Sequence, residues 1–89
     1  MVVAGRWDEL DETWRLAFEM AWEAVVTGNI GVGAVVTDAA GNVVAAARNR
    51  VMDDRAPAGQ VAGSSLAHAE INALAGLPFR SPRVLVLTT

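Results

Sequence analysis

The amino-acid sequence predicts an α/β layered domain in which helices pack on a sheet. Three observations support this fold class: an amphipathic helix near the start, two short apolar strands separated by turn residues, and a second helix followed by a third apolar strand. A strand–helix–strand connection within one sheet is almost always right-handed. The 89 residues suffice for one small domain.

The first helix is predicted from apolar residues that recur at spacings of three and four. These residues are Leu10, Trp14, Phe18, Ala21 and Val25, with Trp22 beside them. Asp8 is expected to be the N-cap, and the acidic residues after it suit the positive end of the helix dipole. Gly28 and Asn29 are typical of a C-terminal stop.

A β-hairpin is predicted after this helix. Residues 31–37 are mostly β-branched or small, as in a buried strand, and residues 43–50 form the second strand. The turn residues at positions 40–42 make the two strands antiparallel. Residues 53–65 contain one proline, two glycines and two serines, which indicates a loop.

The second helix is expected over residues 66–75, with Ser65 as its N-cap and Gly76 and Pro78 as its stop. Ser81 and Pro82 mark a turn before a third strand over residues 84–89. This strand is apolar, so we expect it to lie inside a sheet, yet no second neighbour for it is evident in the sequence.

Composition excludes several classes of protein. The chain is 53% hydrophobic, which argues against disorder, and its seven basic residues are scattered, which disfavours a nucleic-acid substrate. It has no cysteine, so a disulfide framework is excluded and a cytoplasmic location is expected. No run of 18 apolar residues and no signal peptide is evident, so no membrane association is predicted.

His68 is the only histidine and stands two residues before Glu70. Helix residues two apart do not face each other, but side chains lean toward the helix N-terminus, so both can reach a point beyond it. The helix dipole there favours the neutral imidazole that binds metals, and a nearby carboxylate can move protons of a metal-bound water. A structural histidine and a solvated glutamate remain open alternatives.

The His-x-Glu motif at the start of a helix after a hairpin resembles the cytidine and deoxycytidylate deaminase superfamily, whose signature continues with Pro-Cys-x-x-Cys. Residues 31–36 resemble the family's Pro-Val-Gly-Ala-Val-Val strand, with glycine in place of proline. Asn49 and Arg50 resemble its Asn-Arg pair, and residues 86–89 resemble the strand that leads into Pro-Cys. The resemblance spans about residues 14–89 and favours the branch of tRNA adenosine, guanine and nucleoside deaminases.

This resemblance implies a three-layer α/β/α fold, truncated after the third strand, and the hydrolytic deamination of a nucleobase or nucleoside. By position, His68 is the expected zinc ligand, and Glu70 is the expected catalytic proton shuttle. Asn49 is expected to hydrogen-bond the substrate, and the backbone near Ala69 is expected to help to hold the base. Asn49 as an ordinary turn residue at a strand end remains open.

Two departures from the family pattern affect these expectations. Without cysteines, residues 1–89 are expected to be a single partial deaminase domain whose C-terminal Pro-Cys-x-x-Cys part is absent, and the isolated chain is predicted to be inactive. The 19 positions from Asn49 to His68 are more than expected for tRNA-editing members. The extra residues 56–66 are expected to be either a lid over the substrate or a contact to a partner subunit.

The expected partners follow from the same resemblance. A small nucleobase or nucleoside substrate is favoured over tRNA, and the chain is expected to form a homodimer or to join a complementing C-terminal chain. Two further hypotheses remain: half of a split deaminase that needs such a chain, and a non-catalytic interaction module derived from a deaminase.

Overall fold

The computed structural model describes residues 6–78 and 83–89. A short 3-10 helix precedes two α-helices and three β-strands, in the order Arg6–Glu9, α1 (Glu12–Val26), β1 (Gly33–Asp38), β2 (Val43–Arg48), α2 (Ala69–Ala75) and β3 (Val84–Thr88). This order confirms the predicted α/β class. The predicted turn at Ser81 and Pro82 lies outside the described residues, and no described helix is long and apolar enough to cross a membrane.

The sheet has β1 at its centre, between β2 and β3, and β1 is antiparallel to both neighbours. Val35 lies opposite Ala46 on one side and Leu87 on the other. The predicted hairpin is confirmed, although β2 ends at Arg48 rather than at residue 50. Asp38 holds the turn, because its Oδ1 accepts hydrogen bonds from the backbone N–H groups of Ala40 and Asn42.

The two helices lie on opposite faces of the sheet. Ala34 and Val36 of β1 form a buried cluster with Ala47 and with two alanines of α2. Side chains alternate along a strand, so Gly33 and Val35 face the other way, where the backbone of α1 lies against Gly33. The result is the three-layer α/β/α arrangement that the resemblance implied.

The predicted buried face of α1 is correct for Ala21 but wrong for its large residues. The buried residues are Ala17, Ala21 and Ala24, whereas Phe18 is 41% exposed and Trp22 is 66% exposed. The helix backbone lies so close to Gly33 that only small side chains fit between helix and strand. The row of large side chains that contains Phe18 and Trp22, one residue further along the helix, therefore faces outward.

The predicted start of α1 is also wrong, whereas its end is confirmed. Asp11, not Asp8, is the N-cap, and its Oδ1 accepts a 2.8 Å hydrogen bond from the Thr13 N–H. At the other end Gly28 has a φ of +86° and donates to the Val25 carbonyl, while the Asn29 N–H donates to the Ala24 carbonyl. This pair of bonds is a Schellman motif.

Helix α2 begins three residues later than predicted, and its N-cap is His68 rather than Ser65. Residues 64–67 form a turn, in which the Ala67 N–H donates to the Ser64 carbonyl. The Ala67 carbonyl then accepts a 2.9 Å hydrogen bond from the Arg50 N–H. This tertiary bond holds the backbone before His68 out of the helix, which ends at Gly76 as predicted.

Candidate active site

All four residues singled out in the sequence line one cleft. It has a volume of about 260 Å³ and lies where the loop before β1, the segment after β2, the start of α2 and the end of β3 meet. Its lining residues are Ile30, Val32, Asn49, His68, Ala69, Glu70 and Thr88. A cleft with apolar walls and a few polar groups is typical of a small-molecule or base site.

His68 and Glu70 stand at the mouth of this cleft. The His68 Nδ1 atom lies 3.8 Å from Glu70 Oε2, and the two side chains are 55% and 40% exposed. His68 precedes the helix with extended backbone and Glu70 lies in the first turn, so the chain direction changes between them. Their side chains therefore share one space although they are two residues apart.

Asn49 is buried and held from several directions. Its backbone N–H donates to the Val32 carbonyl at 3.0 Å, and its Oδ1 accepts a 3.1 Å hydrogen bond from the Val51 N–H. The Oδ1 contact fixes the orientation of the side-chain amide. Nδ2 has no acceptor among the described residues, which leaves this N–H group free to donate to a molecule in the cleft.

The first turn of α2 adds backbone donors beside Ala69. The His68 side chain makes no capping hydrogen bond, and the first helical bond runs from the Asn72 N–H to the His68 carbonyl. Within the described parts of the chain, the N–H groups of Ala69, Glu70 and Ile71 have no acceptor. Such groups at a helix start are hydrogen-bond donors for a polar ligand.

The chain also matches a known family by sequence. A family model described as the cytidine and deoxycytidylate deaminase zinc-binding region matches residues 8–83, which is most of the chain. The chain belongs to this deaminase family. The predicted family is therefore confirmed.

Among solved structures, this deaminase-family chain is similar to a tRNA:A34 deaminase, studied for A-to-I editing at the wobble position of transfer RNA. The TM-score is 0.68 at 26% identity, over 88% of this chain and 57% of that deaminase. The chain thus spans little more than half the length of its structural neighbour. Comparison with curated protein sequences finds no match. The structural likeness confirms the predicted deaminase-like fold.

The donor atoms present do not fit a catalytic zinc ion by themselves. Catalytic zinc sites in proteins use three protein ligands and keep one position for water. In residues 6–78 and 83–89, no group of three His, Cys, Asp or Glu side chains is placed to hold a metal. The sequence contains no cysteine and no histidine besides His68, so this chain offers zinc a single imidazole.

Several residues of the site were not foreseen from sequence. Ile30, Val32 and Thr88 line the cleft because three separate segments meet there, which no local pattern indicates. Asp53 stands at the start of the predicted loop of residues 53–65, whose polar composition suggests a solvated surface, which is wrong for this residue. Its side chain is only 13% exposed and accepts from Arg48 Nη2 at 2.8 Å.

The segment of residues 56–66 is fixed to the rest of the fold. Val61 donates its N–H to Asn72 Oδ1 at 2.7 Å, and its carbonyl accepts from Asn72 Nδ2 at 3.1 Å. Gln60 Oε1 accepts from Arg50 Nε, and the Gly63 N–H donates to the Arg50 carbonyl. These bonds tie the segment to α2 and to Arg50, two residues after the end of β2.

Proposed function

We propose that this chain carries the base-binding and proton-transfer groups of a hydrolytic deaminase. The observation that supports the proposal is the convergence of Asn49, His68, Ala69 and Glu70 on one cleft, in a chain of the deaminase family. In the proposed reaction, water adds to the amino-bearing carbon of a nucleobase ring and ammonia leaves.

The proposed base-binding groups are the free amide of Asn49 and the N–H beside Ala69. Both are donors, and the carbonyl and ring-nitrogen atoms of a nucleobase are acceptors. Ile30 and Val32 supply apolar walls for the faces of a flat ring. Because Asn49 is buried and oriented by Val51, its amide needs little reorganisation before it binds.

Glu70 is the proposed general base and acid. Its half-exposed carboxylate faces the cleft, so it can accept a proton from the attacking water and return protons to the ring nitrogen and the leaving amine. We propose zinc as the cofactor, with His68 as the ligand from this chain. Since one imidazole does not hold catalytic zinc, the other donors must come from outside these 89 residues.

The proposed substrate is an amino-bearing base, free or within RNA. The structural neighbour acts on tRNA, so it lends no support to the small-molecule substrate that the sequence favoured. The incomplete donor set favours a second candidate, in which the chain is one half of a split enzyme or an interaction module.

The experiment measures ammonia release from cytosine, cytidine, adenosine and an RNA hairpin with adenosine at the wobble position. It uses the 89-residue chain and the longest natural polypeptide that contains it, with zinc content determined for each. We expect Glu70→Gln to lower the rate at least about 100-fold. Glu19→Gln, an exposed glutamate on α1, is the matched control and should leave the rate unchanged.

Two outcomes would count against the proposal. Equal ammonia release by the wild type and Glu70→Gln would remove Glu70 from the chemistry. No ammonia from any substrate, together with no zinc in either polypeptide, would favour the interaction module.

A further inference from the structure

A partly buried ion-pair network, centred on Asp53, adjoins the segment that carries the cleft residue Asn49. Its Oδ1 accepts a 2.7 Å hydrogen bond from Asn29 Nδ2, and its Oδ2 accepts from Arg48 Nη2 at 2.8 Å and Arg50 Nη1 at 2.9 Å. The Arg48 and Arg50 side chains are 6% and 16% exposed. One carboxylate thus joins the loop before β1 to the last residue of β2, Arg48, and to Arg50 two residues later.

Each partner of Asp53 is a chain neighbour of a residue that lines the cleft. Asn29 precedes Ile30, and Arg48 and Arg50 flank Asn49. In extended backbone successive side chains point to opposite sides, so the two arginines reach back to Asp53 while Asn49 faces the cleft. Holding both neighbours fixes the direction in which Asn49 projects.

The turn that orients the Asn49 amide depends on the same network. The Val51 N–H donates to Asn49 Oδ1, the Met52 N–H donates to Asn29 Oδ1 at 2.7 Å, and the Asp53 N–H donates to the Arg50 carbonyl. The backbone N–H groups of three successive residues therefore all have acceptors. Two of these acceptors belong to Asn29 and Arg50, whose side chains also bind the Asp53 carboxylate.

We infer that Asp53 is a positioning residue, which acts through Asn29 and the flanking arginines to hold the Asn49 amide in place for the base. The inference rests on the proposed function for the role of Asn49 in binding. It assigns to Asp53 no contact with the base itself. The hydrogen bonds from Asn29 and the arginines also hold the pKa of Asp53 below its usual value, as expected of a carboxylate kept ionised in such a network.

The main test follows the Asn49 side-chain amide by NMR in the full chain. Asp53→Asn is the direct variant, but it removes the carboxylate that pairs with both arginines, which leaves Arg48 only a 3.8 Å contact with Glu23 and so threatens folding. Asn29→Ala is therefore the second variant, because it removes the link between Asp53 and Met52 without leaving a charge unpaired. Asp54→Asn, an exposed acidic neighbour in the same turn, is the matched control.

In both test variants we expect the Asn49 amide to lose order and Val51 amide hydrogen exchange to rise about tenfold, with Asn42 unchanged as an internal reference. The Asp54→Asn control should behave as the wild type. Wild-type order at Asn49 in a folded Asn29→Ala variant would overturn the inference.

A second test measures the binding of adenosine and cytidine by titration. Asn29→Ala should weaken binding about tenfold, which corresponds to about 1.4 kcal/mol. In an Asn49→Ala background most of that effect should disappear, whereas an equal loss in both backgrounds would overturn the positioning role. Failure of the wild type to bind either nucleoside would count against the proposed function, while the NMR result still decides the role of Asp53.

Discussion

Gly33 lies where helix α1 comes closest to the central strand, so its replacement by alanine tests the packing of the whole fold. An added Cβ atom would overlap the Ala17 carbonyl oxygen and would stand 2.6 Å from the Ala21 backbone nitrogen. Carbon atoms need about 3.5 Å of separation from such neighbours, so the helix would have to move by about 1 Å. Neither contact is with a flexible side chain that could turn away.

We expect Gly33→Ala to cost about 3 kcal/mol of unfolding free energy, at the upper end of the range for overpacking. With a urea m-value of about 1 kcal/mol/M, the unfolding midpoint falls by about 3 M. Urea denaturation followed by circular dichroism measures this shift. Tryptophan fluorescence provides a second probe of the same transition.

Two other glycines serve as controls for this prediction. Gly76→Ala adds a Cβ with no atom within 4 Å, at a φ of −84°, and should be neutral or slightly stabilising. Gly31→Ala places its Cβ 2.7 Å from Val25 Cγ2, an exposed side chain that can rotate, and should cost less than Gly33→Ala. A Gly33→Ala midpoint as high as that of Gly76→Ala would refute the close contact of α1 with β1.

Three further predictions concern the polar groups. Asn72→Ala should cost about 2 kcal/mol in urea denaturation, because the Val61 N–H and carbonyl both lose their partner. The pKa of Asp53 is lowered in the folded state, so its contribution to the free energy of unfolding is present above about pH 4 and is lost as the pH falls through the folded-state pKa. In thermal melts, the melting temperature of Asp53→Asn should therefore fall less steeply with decreasing pH than that of the wild type. His68→Ala and Glu70→Gln should each change stability by less than about 0.5 kcal/mol. Both side chains are about half exposed, and their 3.8 Å separation makes at most a weak ion pair.

The elements with local signals were predictable from sequence. Gly28 ends α1 because it adopts a positive φ, and Gly76 ends α2. The turn between β1 and β2 contains Gly41 with a φ of +88°, again a local requirement. These signals depend on a few neighbouring residues, so the sequence is sufficient to find them.

The face of α1 was not predictable because two stripes share the same period. One contains Phe18 and Trp22, and the other, one residue earlier, contains Ala17 and Ala21, of which Ala21 also belongs to the predicted face. Hydrophobicity favours the first stripe, but contact with Gly33 requires the second. Contact with a strand distant in sequence decides which stripe is buried, so a helical periodicity alone does not distinguish the two stripes.

Some residues of the candidate site are also indicated by a local sequence motif, whereas others are placed only by tertiary contacts. His68, Glu70 and Asn49, which line one cleft, can be proposed from sequence because their residue types and order resemble a family motif. Thr88 and Asp53 were missed because their positions depend on how strands and loops meet. The local sequence around a carboxylate in a polar loop does not indicate whether that carboxylate pairs with arginines inside the fold, as Asp53 does, or is solvated.

The proposed proton-transfer pair differs in burial from the amide side chains of Asn49, in the cleft, and Asn72, in α2. His68 and Glu70 are half exposed, and their side chains make no hydrogen bond to another described residue, whereas Asn49 and Asn72 are buried and bonded to backbone. Loss of activity in a His68 or Glu70 variant is therefore expected to report on chemistry, since neither substitution is predicted to change the stability much. Loss of activity in an Asn72 variant reports first on stability, so its interpretation requires the denaturation curve of the same protein.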